Sequence, residues 1–254
     1  MNIVCIGSGN VATHLAIAFK SMGAEIVQVW SKDSRNAEIL AALTKAKPIQ
    51  SWAELDRSAD CYVIAVKDDA IATVAAHLKG VKGIVVHTSG ATAMDALAGA
   101  GSGYGVLYPL QTFSKTKAVD LKKVPFCIEG DRPETLEKIA AIAQLLSHEV
   151  AEVSTEQRKI LHLAAVFACN FSNHLYHLSS QLLAQHELKF DLLKPLIMET
   201  AAKIQYASPA EVQTGPAVRG DEETMRKHLD LLKDSPELQH IYELLSNSIK
   251  KTQR

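Results

Sequence analysis

Six residues near the start, Gly7-Ser8-Gly9-Asn10-Val11-Ala12, restrict what this chain can fold into more than any other feature. They follow Asn2-Ile3-Val4-Cys5-Ile6, which reads as a short buried strand. They precede His14 to Met22, where apolar residues recur at helical spacing. Gly7 permits a tight strand-to-helix turn, Gly9 lets the main chain approach a diphosphate, and Ala12 lets the helix lie close on the strand. The amides from Gly7 to Ala12, those of Ser8, Asn10 and Val11 among them, would face phosphates at a helix N-terminus, where the dipole favours negative charge. A glycine turn alone is weak evidence. Its place between strand and helix, with a second strand at Glu25 to Trp30, points to a dinucleotide cradle.

Strand and helix alternate through the first half. Ser34 to Leu43 reads as helix, Pro48-Ile49 as a short strand, and Ser51-Trp52-Ala53-Glu54 as a capping box. Cys61 to Val66 is the apolar run expected of a strand buried on both faces. Asp69 to Leu78 follows as a helix with Asp68 and Asp69 as its caps. Gly83 to His87, Tyr104 to Leu110 and Phe126 to Ile128 read as strands, and Asp131 opens a helix reaching Ser147. From Ser154 the strands cease, and helices are expected to Gln185, then over Asp191 to Gln205, Glu222 to Leu232, and Pro236 to Lys250. The expected fold is α/β: a doubly wound, mostly parallel sheet in residues 1–153, then an all-helical domain in residues 154–254.

Charge narrows the partners. With 27 basic and 28 acidic residues, nothing suggests broad attraction to nucleic acid or to an anionic membrane. No apolar stretch approaches the roughly 20 residues that cross a bilayer, and no basic-then-apolar leader precedes the first strand. Cys5, Cys61, Cys127 and Cys169 are far apart with no CxxC pair, so buried free thiols and a cytoplasmic setting are expected. The apolar C-terminal helices suit a homodimer.

The end of the second strand selects the coenzyme. An NAD-selective cradle places an acid there for the ribose 2′-hydroxyl, but this chain reads Trp30-Ser31-Lys32-Asp33-Ser34-Arg35. Ser31, Lys32 and Arg35 offer a hydroxyl and two cations, which suit a 2′-phosphate and favour NADP over NAD. The competing readings are a solvated loop, or Asp33 turned back as the acid.

Ligands of an open parallel sheet bind beyond the carboxyl ends of its strands. That rule sets Val66 and Lys67 against the ribose side, and His87, Ser89 and Gln111 nearest the nicotinamide and its substrate. His87 could equally be a packing residue. In the helical half, 100° per residue aligns His162, Cys169, Asn173 and His177 on one stripe, with Asn170 on its flank. These polar groups either tie helices together or face a partner copy, or else they face a substrate. His174 and His177 lack an HExxH pattern or a nearby carboxylate, so no metal is expected. Thr214 to Asp221 reads as a rigid turn in which Asp221 caps the next helix. Arg219 either clamps an anionic substrate or pairs with Asp221.

Gly7 to Ala12, Val29 to Lys32, His87 to Gly90, Tyr108 to Phe113, Asn170 to Asn173 and Thr214 to Asp221 together resemble one bacterial family. It joins a Rossmann-like NADP oxidoreductase domain to a helical C-terminal domain of unknown function, and the resemblance covers nearly the whole chain. The N-terminal half is also similar to pyrroline-5-carboxylate reductase and to coenzyme F420-dependent NADP reductases. The overall plan is similar to the 6-phosphogluconate and 3-hydroxyisobutyrate dehydrogenases. That wider group implies a coenzyme in the cleft between domains, substrate entering from the helical side, and dimers through the helical domains. The hydroxyacid dehydrogenases carry a catalytic lysine four residues before an asparagine. Here Val166 and Cys169 stand four before Asn170 and Asn173, so the lysine mechanism does not transfer.

The resulting expectation is an NADP-dependent oxidoreductase for a small polar carbonyl, imine or hydroxy compound. His162 would handle the proton, Asn170 and Asn173 would orient the substrate, and Arg219 would hold an anionic group. The alternative is an NADP(H)-binding sensor or scaffold without turnover.

Overall fold

A computed structural model describes residues 1–252. One eight-stranded sheet organises the first half. Its strands are β1 (Asn2–Ile6), β2 (Glu25–Trp30), β3 (Lys47–Ile49), β4 (Cys61–Ile64), β5 (Ile84–His87), β6 (Gly103–Pro109), β7 (Phe126–Gly130) and β8 (Val150–Glu152), in the order β3-β2-β1-β4-β5-β6-β7-β8. All neighbours run parallel except β6 and β7. The helices α1 (Asn10–Ser21), α2 (Ser34–Thr44), α3 (Ile71–Ala76) and α4 (Pro133–Leu146) connect them. This is the expected doubly wound α/β sheet. The strand order reverses beside β1, which opens a crevice at its carboxyl end.

Alternation along each strand builds two cores. Ile3 and Cys5 of β1, with Cys61 and Val63 of β4, face Leu15 and Phe19 of α1 and Leu40 of α2. Val4, Ile6, Tyr62 and Ile64 point the other way, against Ile71 and Val74 of α3 and Leu97. Both faces are covered, which is why these strands read as unbroken apolar runs. Burial pushes the Cys5 thiol up to about 12, so it stays an inert thiol.

Several local expectations are corrected. β8 was not anticipated; its three residues pair with β7 at the sheet edge. Asp68 and Asp69 lie inside a short 3-10 turn after Lys67 and do not cap α3. The Ser51–Glu54 capping box is present but opens only a 3-10 turn. Cys169 is exposed, unlike the other three cysteines.

The second half is helical: α5 (Thr155–Ala165), α6 (Ser172–Gln185), α7 (Lys194–Lys203), α8 (Pro216–Arg219), α9 (Glu222–Leu231) and α10 (Pro236–Thr252). Ser154 starts α5 with a complete capping box to Gln157. A π turn, Val166–Phe171, joins α5 to α6. It widens the helix by about one residue and shifts the phase of everything after it. The stripe drawn at 100° from His162 to His177 is therefore broken. The chain divides into two compact units at Asn173/His174, so α5 and the π turn belong with the sheet. No helix among the described residues is long and apolar enough to cross a membrane.

Candidate functional site

The β1–α1 turn has the features of a phosphate cradle. Gly7 adopts φ +117°, and a Cβ there would lie 2.1 Å from the Ala65 carbonyl oxygen. Only glycine fits. Its amide is committed to the Trp30 carbonyl at 2.8 Å, so Gly7 shapes the turn and offers no hydrogen bond to a ligand. Gly9 is the N-cap of α1, no side chain caps that helix, and Gly9 and Asn10 are exposed. A Cβ on Gly9 would meet nothing within 4 Å. The amides at the start of α1 thus face open space, as an anion site requires. The Asn10 side chain donates to the Phe113 carbonyl at 2.9 Å, and the His14 ring reaches the Ser114 carbonyl, also at 2.9 Å. Asn10 and His14 thereby hold the loop after β6 over α1.

At the end of β2 the hydroxyls of Ser31 and Ser8 lie 2.7 Å apart, joining the two halves of the cradle. Asp33 caps α2 by accepting from the Asn36 amide, so its carboxylate is engaged at a helix start. Lys32 and Arg35 are exposed and, among the described residues, have no ion-pair partner. Trp30 stacks on Trp52 at 4.3 Å, and Trp52 stacks on His77 at 4.6 Å. These are the only two tryptophans, so intrinsic fluorescence reports on this edge of the sheet. Val66 lies beside Gly7, and Lys67 is exposed just beyond β4.

Beyond β5 and β6 the chain gathers a group that sequence reasoning saw only in pieces. Arg158 of α5 is fully buried and pairs with Glu129 of β7. Its other terminal nitrogen donates to the Thr92 carbonyl at 2.7 Å and to the Thr155 hydroxyl at 3.2 Å. Thr155 donates to the same carboxylate through its amide and hydroxyl, both at 2.8 Å. The first turn of α5 is thereby bolted to the sheet. His87 ends β5 with no exposed surface. Its Nδ1 accepts from the Ser89 amide at 3.2 Å, and its Nε2 finds no partner in hydrogen-bonding geometry among the described residues. Burial, and then the Arg158 charge, lower its pKa to about 4, while the Ala93 main chain and Glu129 act the other way. His87 is neutral and interior. Ser89 is engaged in a turn, its hydroxyl accepting from the Ala91 and Thr92 amides.

His162 of α5 is half-buried, and its Nδ1 lies 3.0 Å from the hydroxyl of Tyr108 at the end of β6. Gly90 lies against both rings. Tyr108 was read only as part of a strand, because its partner is 54 positions away. Gln111 is exposed, and its side-chain oxygen accepts from the adjacent Thr112 amide at 2.8 Å. Asn170 and Asn173 are exposed at the π turn and just after it. In the second unit Arg219 is exposed at the end of α8 and makes no ion pair among the described residues. Asp221 instead caps α9 through the Thr224 amide at 3.0 Å. The Arg219 charge nevertheless helps hold the Asp221 carboxyl below its usual range, after the two Thr224 hydrogen bonds. No group of three His, Cys, Asp or Glu suited to a metal occurs among the described residues.

Comparisons with known proteins agree with this geometry. Residues 2–89 match the family model described as NADP oxidoreductase, coenzyme F420-dependent. Residues 124–249 match a domain of unknown function, DUF2520. A sequence comparison with curated proteins found no match. Among solved structures, a candidate NADP oxidoreductase from Bacteroides fragilis is 44% identical, with 98% of each chain covered and a TM-score of 0.93. An imine reductase from Myxococcus stipitatus in complex with NADP+ is 17% identical (99% of this chain, 93% of that one, TM-score 0.67). A 1-pyrroline-5-carboxylate reductase from Streptococcus pyogenes is 12% identical (99% and 98%, TM-score 0.64). The last two share the fold. The identity to the Bacteroides protein extends over 98% of the chain, and on that ground this chain belongs to the oxidoreductase family that joins an F420-dependent-type NADP oxidoreductase domain to DUF2520.

Proposed function

We propose that the chain is an NADP-dependent oxidoreductase for a small polar carbonyl, imine or hydroxy compound. The observation that carries this reading is the uncapped start of α1, where Gly9 stands open and no side chain takes the amides. Ser8, Gly9, Asn10 and Val11 hold the diphosphate there. Ser31, Lys32 and Arg35 hold the 2′-phosphate, with Lys32 as a point charge and Arg35 as a planar fork. Val66 and Lys67 border the ribose. The bound nicotinamide supplies or accepts a hydride. His162 delivers the matching proton to the substrate heteroatom, or removes it in the reverse direction. Asn170, Asn173 and Gln111 orient the substrate, and Arg219 is available to an anionic group. His87 at the end of β5 and Ser89 just beyond it would shape the nicotinamide side of the site.

The double variant Lys32→Ala/Arg35→Ala tests the coenzyme assignment. Losing two charge-assisted contacts is expected to weaken NADPH by about 10- to 100-fold. NADH, which lacks the 2′-phosphate, should change by only about 2- to 3-fold. Quenching of Trp30 and Trp52 reads both titrations. An equal loss for the two coenzymes would contradict the assignment.

The helical portion, residues 154–254, serves substrate binding and dimerisation in this reading. From His174 onward only Ala217 and Met225 are buried hydrophobics among the described residues. Leu192, Leu196, Met198 and Tyr206 are 62–87% exposed. A unit with so small a core gains its stability from a second copy covering those side chains. Sedimentation equilibrium is expected to give twice the chain mass at micromolar concentration, and a monomer there would contradict the dimer.

A further inference from the structure

Tyr108 sits in a small apolar pocket with Val106 and Cys127, flanked by Met94, Leu110, Val153 and Leu161. Only 8% of it is exposed. Burial raises its phenol to about 12, so the hydroxyl keeps its proton at neutral pH. That hydroxyl lies 3.0 Å from His162 Nδ1, with the rings edge-on at 75°. Gly90 closes the other side: a Cβ there would lie 2.7 Å from His162 Cγ and Nδ1, and 2.8 Å from Tyr108 Cζ. His162 Nε2 makes no hydrogen bond among the described residues and is not closed off from solvent.

We propose that Tyr108 is a positioning residue that sets the tautomer of His162, leaving Nδ1 bare and the ring proton on Nε2. A neutral imidazole carries one proton and has one acceptor nitrogen. The Tyr108 hydroxyl is in contact with no other acceptor among the described residues, so its proton goes to Nδ1, which is then the acceptor, and the ring proton is confined to Nε2. Gly90 lets the two rings meet, because the space beside Nδ1 leaves no room for a Cβ. The proton thus stands on the nitrogen that faces outward, where a substrate heteroatom can take it. Tyr108 returns a proton to Nδ1 only by ionising, which its burial opposes, so it orients the ring and does not relay. This inference rests on the proton role of His162 proposed above.

The test is long-range ¹H–¹⁵N NMR on the full chain labelled in histidine, at about pH 8, above the ordinary imidazole range. The His162 signals are identified by their loss in His162→Gln. Wild type is expected to show Nε2 protonated and Nδ1 bare, with Nδ1 displaced upfield by an accepted hydrogen bond. Tyr108→Phe is expected to abolish that displacement while leaving NADPH binding unchanged. A protonated Nδ1 in wild type would overturn the proposal without any variant, and so would an Nδ1 signal indifferent to Tyr108→Phe. If NADPH fails to bind wild type while the tautomer is as stated, the coenzyme reading fails and the tautomer assignment alone stands.

Discussion

Replacing Arg158 with methionine is expected to cost the fold about 3–5 kcal/mol, the range for breaking a buried ion pair by removing one partner. The size follows from what stays behind. Glu129 has a side chain only 17% exposed, and without the guanidinium its carboxylate keeps just the Thr155 amide and hydroxyl. The Thr92 carbonyl also loses its donor. The cost should therefore exceed that of the missing packing, which methionine largely restores. Glu129→Gln alone should also destabilise, because it leaves the buried cation short of charge. The double variant Arg158→Met/Glu129→Gln should recover part of the loss, since no unpaired charge remains. Urea unfolding of the four proteins measures the coupling. A loss below about 1 kcal/mol for Arg158→Met would mean that the pair is solvated and that α5 is anchored by other contacts.

Acidification should weaken the fold through His87 by about 3 kcal/mol between pH 7 and pH 4. In the folded chain its ring titrates at about 4, against 6.5 for a free histidine. Between those two values the unfolded chain binds the extra proton and the folded chain does not. Stability is thus complete above about pH 6.5, falls as the pH drops toward 4, and levels off below that. Carboxylates contribute their own acid slope, so the informative quantity is a difference. His87→Gln removes the titration while keeping a polar side chain, and should lose about 3 kcal/mol less than wild type over the same interval. Equal losses in the two proteins would show that His87 is not held neutral by burial.

The parts of this molecule visible in the sequence are those built from local pattern. Gly7-Ser8-Gly9 between an apolar run and a helical repeat placed β1, the turn and α1, because each of those forms depends on near neighbours. The run Cys61 to Ile64 gave β4 for the same reason. β8 escaped notice because three residues on a sheet edge, two of them exposed, carry no alternation to read. The π turn at Val166–Phe171 was invisible, since one added residue leaves composition unchanged while rotating all that follows. Arg158 near the start of a capped helix reads as a solvated charge, and only the fold supplies Glu129, 29 positions away. Tyr108 and His162 were each legible as types but not as a pair, for the same physical reason. Asp33, left open as the acid, is instead the cap of α2, its carboxylate accepting from the Asn36 amide.

The central claim is that the open start of α1 grips a dinucleotide, and Gly9→Val tests it most directly. Gly9 has φ −73° and ψ −171°, which valine adopts freely, and a Cβ there touches nothing within 4 Å. The substitution should therefore change stability by less than about 1 kcal/mol, the scale of an N-cap effect. Calorimetric titration with NADPH is expected to show saturable binding to wild type at one site per chain. Binding should be about 100-fold weaker or lost in Gly9→Val, since the new side chain occupies the space the diphosphate needs. Absence of heat with wild type, or equal affinity for the two folded proteins, would contradict the account.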